Sequence, residues 1–577
     1  MIKKLMLFAL FILSILEIFS QGLPHKMTDF EKQQMPHYLN SIVSRGFTQP
    51  PVSQVRTVAE WEEMDAIIIS WESFSSVLTE IVRYAKEECK VFIVCSDSNS
   101  VKNTLTSSNV SLTNLEFLIE ASNSVWIRDY GPNNVYTNEV DSLIIVDWIY
   151  NRPRPDDDVI PEAVANKLNV PIYETTQSPY DIIHAGGNFM SDGFGTAFSS
   201  NLVLEENPGK TESEIDSVIH KFMGIERYVK MTNLPYDGIH HIDMHMKLID
   251  EETLLVGEYP TGISDGPQIE ANLQYVLSNF NSIFGTPYKV IRIPMPPENG
   301  NYPNGLWNGA DYRTYTNSLI INKTVLVPTY EYQYDTTALR IYKEAMPGYN
   351  IVGINCNATI PSSGAIHCIS HEIATNDPLL ISHQPHLSLI DSSTENYLIE
   401  AKIIHRSGIQ NASIYYRNDT INPYLSASMS LLNLADNIWS GEITSQNLMD
   451  TIYYYIEAQS NSGKTQVRPI VAPAGYWKFT VANNTINIAS KDFRNNFNIS
   501  YSKASKKVFI TMNSDKFQKA SLSIFDILGK ETILSNPKII HEGLNDLSFS
   551  TSKFKQGLYF VVLKTERNAY TEKVIIN

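Results

Sequence analysis

Residues 124–148, SVWIRDYGPNNVYTNEVDSLIIVDW, contain two strand-like runs separated by a tight turn near Asn138-Glu139. The same strand-turn-strand pattern recurs in DIIHAGGNFMSDGFGTAFSS (181–200), HIDMHMKLIDEETLLVGEY (241–259) and TYTNSLIINKTVLVPTY (314–330), and a fifth run, GAIHCISHEI (364–373), ends the series. Helical stretches lie between these units, so residues 51–383 are predicted to form an α/β domain. Their spacing of about 50–75 residues is too long for a solenoid repeat but suits blades arranged around an axis.

Each unit carries a polar residue near its first strand. In chain order these residues are Asp129, Asn188, His241 with Asp243, Asn317 and Cys368. If the units are equivalent blades, their first strands begin at the same end of the axis. We therefore expect these side chains to converge on one site.

The regions before and after this α/β domain have different sequence patterns. Residues 1–20 combine a basic start with an apolar run, the layout of a signal peptide, and residues 21–50 form an N-terminal segment. Because Glu17 interrupts the apolar run, we expect no membrane-spanning segment in the mature protein. Residues 384–484 show short alternating strands typical of an immunoglobulin-like β-sandwich. Residues 485–577 are again all β, and neither region has a plausible catalytic set.

The composition narrows the class of partner. The chain has 577 residues and a formal net charge of −17, from 45 Lys and Arg against 62 Asp and Glu. This charge argues against nucleic acid or an anionic membrane as the main partner and favours a cationic ligand. Four cysteines are too few for a disulfide-stapled scaffold of this length. At least one thiol is therefore expected to stay free for chemistry.

One thiol, two carboxylates and one imidazole suggest a reaction at a cationic group. A thiolate such as that of Cys368, in SSGAIHCIS, suits attack on a resonance-stabilised guanidinium carbon, and the alternative is a buried structural cysteine. His241 and Asp243 are predicted on one face of a strand, so that the imidazole handles protons while the carboxylate binds a cation. Asp129 offers a second carboxylate, and two carboxylates hold a guanidinium by charge-assisted hydrogen bonds. Alternatively, Asp129 pairs with Arg128 or caps the turn.

Two other chemistries match parts of the sequence. His241, Asp243 and His245 alternate along one predicted strand and offer zinc ligands, but no further ligand cluster is evident. We therefore expect no metal and no other cofactor. The sequence GISDG matches the nucleophile elbow of serine hydrolases, with Ser264 as nucleophile. The simpler interpretation is that Ser264 or Asp265 caps the following helix.

The segment NRPRPDDD places Arg152 and Arg154 two residues apart, in a stretch that the prolines keep extended. In an acidic protein, two arginines aimed the same way suggest capture of an anionic group, such as a substrate carboxylate. The alternative is local salt bridging to the following aspartates, Asp156–Asp158.

Together the motifs resemble the family of Porphyromonas-type peptidylarginine deiminases and agmatine deiminases. The resemblance covers roughly residues 55–380 and follows the family order in AEWEEMDAIIISWE, WIRDYGP, HAGGN, HIDMHMK, YTNSLIINKTVLVPTY and GAIHC. It implies a five-bladed α/β propeller, the pentein fold, and hydrolysis of a guanidinium group to a ureido product and ammonia without a metal.

The resemblance also implies a role for each matching catalytic position. Cys368 is the nucleophile that forms a covalent thiouronium, and His241 is the general acid and base. Asp129 and Asp243 are the carboxylates that bind the guanidinium. Two departures from the family pattern concern substrate detail: Ser362-Ser363 stand where the family commonly has Gly-Gly, and HAGGN lacks an acidic second residue.

The substrate side of the resemblance distinguishes two branches of the family. Trp126 looks like a wall of the arginine pocket, and Asn317 looks like a polar substrate contact. Arg152 and Arg154 resemble the pair that binds a C-terminal carboxylate in bacterial protein-deiminating enzymes, and they would repel the amine of agmatine. We therefore predict deimination of peptidyl arginine, C-terminal arginine above all, in proteins or peptides. Agmatine-type hydrolysis of a small guanidine is the alternative.

The C-terminal residues carry a second resemblance. The stretch from DILGKE to EKVIIN resembles a type IX secretion signal. This implies that the secretion machinery is a partner and that the protein is secreted or attached to the outer-membrane surface.

Overall fold

A computed structural model describes residues 22–304, 309–386, 389–391, 396–444, 446–448, 450–482, 497–502, 506–514, 518–526, 530–540, 543–565 and 569–576. The predicted signal peptide, residues 1–20, lies outside the described residues. The chain divides into two compact units, residues 1–483 and residues 484–577.

The helices of the described residues all lie in the first unit. They are α1 (Asp29–Ser41), α2 (Ser75–Ala85), α3 (Ser98–Ser107), α4 (Ile127–Tyr130), α5 (Ile160–Leu168), α6 (Leu202–Glu205), α7 (Glu212–Met223), α8 (Gly266–Asn279) and α9 (Tyr332–Ala345). Within the described part of the chain, no helix is long and apolar enough to cross a membrane.

The α/β part of this unit contains the first group of strands. They are β1 (Val55–Thr57), β2 (Met64–Ser70), β3 (Lys90–Val94), β4 (Leu115–Leu118), β5 (Asn133–Thr137), β6 (Leu143–Tyr150), β7 (Ile172–Thr175), β8 (Ile183–His184), β9 (Met190–Ser191), β10 (Thr196–Ser200), β11 (Arg227–Met231), β12 (Met246–Leu248), β13 (Thr253–Glu258), β14 (Lys289–Pro294), β15 (Leu319–Ile321), β16 (Thr324–Thr329), β17 (Asn350–Asn355) and β18 (His371–Ala374).

These strands form five separate sheets with one common topology. In each sheet, two strands pair antiparallel. A helix leads from the second of them to a third strand, which pairs in parallel with that second strand. Four of the sheets contain β5-β6-β7, β9-β10-β11, β12-β13-β14 and β15-β16-β17, and their connecting helices are α5, α7, α8 and α9. In the fifth sheet, β18 pairs antiparallel with β2, and α2 leads from β2 to β3. Each predicted strand-turn-strand unit supplies the antiparallel pair of one sheet, while the fifth run supplies β18.

Local sequence explains these elements. Strand β6, LIIVDWIY, is buried along its whole length, as expected for a strand covered on both faces. The turn before it begins at Asn138, whose φ of 45° is one that asparagine tolerates. Helix α7 begins with a capping box between Thr211 and Glu214 and ends at Gly224 with φ 70°. A Cβ at Gly224 would lie 1.9 Å from the carbonyl oxygen of Val55, so only glycine lets α7 pack against β1.

The remainder of the first unit is all β. Its strands are β19 (Leu380–Ser382), β20 (Leu389–Asp391), β21 (Asn396–Ile404), β22 (Ile409–Arg417), β23 (Leu425–Asn433), β24 (Ile438–Thr444), β25 (Thr451–Ser460), β26 (Thr465–Arg468) and β27 (Trp477–Ala482). They form one nine-stranded sheet in the order β19-β21-β24-β23-β22-β25-β27-β20, with β26 on β25. Ion pairs join this sheet to the α/β part, including Lys464 with Glu63 at 2.8 Å and Arg468 with Glu251 at 3.0 Å.

The second unit is also all β, with strands β28 (Phe497–Ser502), β29 (Lys507–Ser514), β30 (Gln518–Asp526), β31 (Glu531–Ile540), β32 (Gly543–Ser550), β33 (Gly557–Thr565) and β34 (Ala569–Ile576). They form two sheets, β28-β29-β32 and β31-β30-β33-β34. Alternate side chains of β29 and β33, such as Val508, Ile510, Val561 and Leu563, form its buried core.

Candidate active site

Short helical turns carry most of the predicted site residues. Asp129 lies in α4, directly before β5, and Asn188 ends a 3₁₀ turn before β9. Asp243 lies in a 3₁₀ turn before β12, and Cys368 lies in one before β18. The same position in four sheets therefore delivers a polar side chain.

The prediction of a strand over His241–His245 was wrong. His241 instead precedes the 3₁₀ turn Ile242–Met244, and the Met244 N–H donates to the His241 carbonyl oxygen at 3.3 Å. The alternation of polar and apolar residues fits a strand as well as a single tight turn, and here the turn forms. Strand β12 begins only at Met246.

Gly187 marks the point where three of the predicted catalytic side chains meet. A Cβ on this residue would lie 2.5 Å from Nδ1 of His241, 3.0 Å from Oδ1 of Asp129 and 3.3 Å from Oδ2 of Asp243. Real Cβ atoms do not tolerate the first of these contacts, so a side chain here would displace the imidazole. The absence of a side chain at Gly187 thus leaves the space that these groups share.

Cys368 is fully buried beside this point. Its Sγ lies 3.8 Å from Oδ2 of Asp243, and Nδ2 of Asn317 donates to it at 3.2 Å. Burial, and then the charges of Asp243 and Asp129, raise the pKa of the Cys368 thiol well above its ordinary value. The resting residue is therefore a protonated thiol.

Asn317 holds the segment that carries the thiol. Its Oδ1 accepts from the backbone N–H groups of Ala365 at 3.2 Å, His367 at 3.1 Å and Cys368 at 3.4 Å. The amide group predicted as a substrate contact is thus engaged with the backbone and with the sulfur, and both of its ends orient Cys368.

The imidazole of His241 is free to move protons. The ring is fully buried, and neither nitrogen has a hydrogen-bond partner among the described residues. Oδ1 of Asp129 is 3.6 Å from Nδ1, too far for a hydrogen bond. Burial lowers the pKa of His241 to about 4, although the charge of Asp129 opposes this. A neutral imidazole at pH 7 can accept a proton.

The two carboxylates are both buried and ionised. Burial alone would raise the pKa of Asp129, but the hydrogen bond and charge of His25, together with the charge of Arg152, outweigh it and lower the pKa below its ordinary value. Burial likewise opposes ionisation of Asp243, and the hydrogen bond and charge of His367 lower its pKa. Oδ1 of Asp243 has no hydrogen-bond partner among the described residues. This oxygen is available to a cationic ligand.

A second layer of charged groups supports the site and was not predicted. His367 Nδ1 is 2.7 Å from Oδ2 of Asp243, and its Nε2 is 3.3 Å from Glu60, which pairs with Lys247 at 2.6 Å. His367 directly precedes Cys368 in the motif GAIHC, so the adjacency itself was a signal. These groups line a cavity of about 70 Å³, large enough for water.

The contacts of Arg128 decide whether Asp129 pairs with it, an alternative that the sequence leaves open. Arg128 does not pair with the neighbouring Asp129 but with Glu372, at 2.6 Å, and its Nε donates to the His367 carbonyl oxygen at 3.2 Å. Asp129 is thereby left to face the site.

The most unexpected residue at the site is His25, from the N-terminal segment. Its Nε2 is 2.6 Å from Oδ2 of Asp129 and its Nδ1 is 2.8 Å from the carbonyl oxygen of Ser363. The ring stacks on Trp126 at 4.3 Å between centroids, and its edge meets His241 at 5.0 Å. No local motif marks His25, so sequence reasoning could not have found it.

Trp126, Arg152 and Arg154 surround this segment. The indole of Trp126 is fully buried, and a Cβ at Gly364 would lie 2.4 Å from it. Nε of Arg152 donates to the His25 carbonyl oxygen at 3.0 Å, while Nε of Arg154 pairs with Glu31 at 2.7 Å. The described ion pairs of these two arginines do not include Asp156–Asp158, the local alternative.

The structure changes the interpretation of both alternatives, the zinc site and the serine nucleophile. A group of three possible metal ligands exists within the described residues, but it consists of His25, Asp129 and His241, with ligand atoms within 4.8 Å of one another. Two of the three predicted ligands, Asp243 and His245, do not belong to it. Ser264 is buried before α8, and its hydroxyl has no hydrogen-bond partner among the described residues. It therefore lacks the base that a nucleophilic serine needs.

Comparison with known proteins gives the following matches. The family profile described as Porphyromonas-type peptidyl-arginine deiminase matches residues 56–373, and the profile of the secretion system C-terminal sorting domain matches residues 493–577. A Vibrio parahaemolyticus protein named provisionally as an agmatine deiminase is 25% identical over 360 residues, which cover 56% of this chain and 94% of that protein.

Two solved structures share the fold. A provisionally named arginine deiminase from Porphyromonas gingivalis is 21% identical, with 56% of this chain and 99% of the other covered at a TM-score of 0.50. The agmatine deiminase of Enterococcus faecalis is 19% identical, with 57% of this chain and 100% of the other covered, also at a TM-score of 0.50.

Proposed function

Because the chain belongs to the Porphyromonas-type peptidyl-arginine deiminase family, whose members hydrolyse guanidino C–N bonds, we propose that it deiminates peptidyl arginine to citrulline and ammonia. The observation that carries this proposal is the convergence of His241, Asp129 and Asp243 around Gly187, with the Cys368 thiol beside them. Its C-terminal sorting domain marks the protein for export and for secretion or surface attachment.

The binding step follows from charge. A guanidinium carries planar N–H donors, and the carboxylates of Asp129 and Asp243 are buried, ionised acceptors for them. The bound cation lies next to Cys368 and compensates the negative charges that, together with burial, keep its thiol protonated. Substrate binding therefore lowers the cost of forming the thiolate.

The chemical steps use the thiol and the imidazole. His241 takes the proton of Cys368, and the thiolate attacks the guanidinium carbon to give a tetrahedral adduct. His241 returns a proton to the departing nitrogen, ammonia leaves, and a covalent thiouronium remains. His241 then deprotonates a water molecule that attacks the same carbon. Collapse of the second adduct breaks the C–S bond and gives the ureido product and the free thiol.

Two further residues shape the site in this proposal. Trp126 forms a wall of the arginine pocket, against which the planar guanidinium lies. Asn317 orients Cys368 through its backbone and sulfur contacts, a positioning role in place of the predicted substrate contact.

The choice of peptidyl arginine over agmatine rests on Arg152. In the structure this side chain donates to the main-chain carbonyl of the residue whose side chain lies on Asp129. A peptidyl arginine bound through Asp129 has a main-chain carbonyl, or a terminal carboxylate, for Arg152 to contact. Agmatine has neither group. We propose that Arg152, with Arg154 beside it, favours an arginine next to a C-terminal carboxylate.

We also propose a domain arrangement. The five sheets are the blades of a pentein-type propeller, which is supported by the equivalent position of the site residues before the first strands. Residues 1–20 are a signal peptide, 21–50 an N-terminal segment, 51–383 the catalytic domain, 384–484 an immunoglobulin-like sandwich and 485–577 the sorting domain.

The test compares three substrates at equal concentration: a peptide ending in arginine, the same peptide with the arginine internal, and agmatine. We expect citrulline from the peptides, fastest from C-terminal arginine, and no product from Cys368→Ala. Product from agmatine alone would assign the chain to the activity for which the Vibrio relative is named. No ureido product from any of them, with His25 intact and with His25→Ala alike, would refute a deiminase role. Loss of activity with a chelator would favour the metal alternative.

A further inference from the structure

The N-terminal segment lies where a substrate would lie. The His25 ring is fully buried against Asp129, Trp126 and His241. We propose that residues 22–25 are a pseudosubstrate: the His25 imidazole occupies the guanidinium subsite, and the chain is latent until this segment leaves. The inference rests on the proposed function, because it takes Asp129 as the carboxylate that binds the substrate cation.

The His25 ring copies the recognition features of a guanidinium. Both of its nitrogens face oxygen acceptors, Oδ2 of Asp129 at 2.6 Å and the Ser363 carbonyl at 2.8 Å. Donating to both requires the doubly protonated, cationic ring. The ring is planar and lies within 8° of parallel to the Trp126 indole. It thus presents a flat cation with two N–H donors, as a guanidinium would.

The main chain of the segment is held as a bound peptide is held. The indole Nε1 of Trp126 donates to the Leu23 carbonyl at 2.8 Å, and Arg152 donates to the His25 carbonyl at 3.0 Å. The His25 N–H donates to the Ser362 carbonyl at 3.2 Å. Contacts of this kind recognise a peptide backbone and place one side chain in a pocket.

A helix anchors the segment without closing the site permanently. Arg154 donates to the Pro24 carbonyl at 2.7 Å and pairs with Glu31 in α1, and Tyr38 donates to Asp158 at 2.8 Å. The linker that follows α1 is accessible, since Val43 is 65% exposed. Release of α1 or cleavage of this linker would free the pocket.

In this proposal His25 keeps a substrate away from both Asp129 and Cys368. Its hydrogen bond takes one oxygen of Asp129, and its ring fills the space against Trp126, so a guanidinium cannot enter while His25 is bound. The side chains of Asp129 and Cys368 have no exposed surface with the segment in place.

The main experiment compares His25→Ala with His37→Ala in the full-length chain. His37 is an exposed histidine on α1 and is the matched control. We expect His25→Ala to raise the rate of peptide deimination about tenfold or more, the effect of losing a charge-assisted hydrogen bond. The control should match the wild-type rate. A folded His25→Ala protein, with unchanged thermal unfolding, that is no faster than wild type would overturn the proposal.

A second readout does not depend on deiminase activity. Iodoacetamide alkylation of Cys368, followed by mass spectrometry, should accelerate in His25→Ala and stay unchanged at the buried Cys356. Faster alkylation without deimination of any substrate would leave the pseudosubstrate standing and refute the proposed function. Deimination by the wild-type chain, with neither rate altered by His25→Ala, would refute the pseudosubstrate and leave the function standing.

A third variant keeps the test decisive if His25→Ala misfolds. His25→Arg places a guanidinium on Asp129, so the chain should convert its own residue 25 to citrulline, visible in the peptide mass spectrum. The same change combined with Cys368→Ala should give no conversion. Added in trans to His25→Ala, the peptide GLPHK should inhibit competitively, whereas GLPAK should not. Inhibition by both peptides, or by neither, would contradict recognition through the imidazole.

Discussion

Gly187→Ala is the most direct test of the geometry at the centre of the site. The new methyl group would lie 2.5 Å from Nδ1 of His241 and 3.0 Å from Oδ1 of Asp129. Carbon atoms approach nitrogen or carbon without repulsion only at about 3.5 Å, so the imidazole has to shift by about 1 Å. A displacement of that size costs about 100-fold in rate. We expect kcat/KM for a C-terminal arginine peptide to fall by at least that factor.

The same change should leave the protein folded. Overpacking by one methyl group costs about 1–3 kcal/mol of the free energy of unfolding, less than the usual stability of a domain. Gly209→Ala is the matched control, because a Cβ at Gly209 would meet no atom within 4 Å. Steady-state kinetics and thermal unfolding should be measured for both variants, in the wild-type chain and with His25→Ala. Wild-type kcat/KM in folded Gly187→Ala would refute the convergence of catalytic groups at this point.

Three further predictions concern single side chains. Asn317→Ala should lower kcat about tenfold or more with little change in KM, since the backbone N–H groups that position Cys368 lose their acceptor. A higher KM at unchanged kcat would instead restore the direct substrate contact. Alkylation of Cys368 should be slow at pH 7 and still rising at pH 9, because its raised pKa keeps the reactive thiolate scarce below that pH. A plateau at neutral pH, measured with iodoacetamide in His25→Ala, would contradict a protonated resting thiol. Arg152→Ala should lower kcat/KM for C-terminal arginine about tenfold or more relative to agmatine, and an unchanged ratio would remove its role in selectivity.

Much of the α/β fold could be predicted because its signals are local. The turn beginning at Asn138 and the apolar run of β6 identify a strand-turn-strand unit within a few residues of each other. The topology that joins β18 to β2 could not be read in this way, because it depends on residues far apart in sequence. The predicted strand over His241–His245 failed for a related reason, since polar alternation does not distinguish a strand from a single 3₁₀ turn.

The same difference between local motifs and contacts distant in sequence applies to the site. Cys368, His241 and Asp129 lie in recognisable motifs and were predicted as partners, and the structure brings them together. The structural contacts of Asn317 with the Cys368 segment depend on exact hydrogen-bond geometry, which residue type alone does not give. His25 has no motif, and its place on Asp129 depends on the folding of a segment far away in the chain.

The pairing of β18 with β2 determines when, during synthesis and folding, the site is completed. His371 of β18 lies opposite Ile68 of β2, and the turn that carries Cys368 leads directly into β18. Cys368 therefore reaches its place only after the ribosome has made nearly the whole α/β region and a contact of very high contact order has formed. A partly synthesised chain, or one still unfolded during transport, holds a thiol with no site around it. Closing this sheet is thus the step that brings Cys368 to the rest of the site.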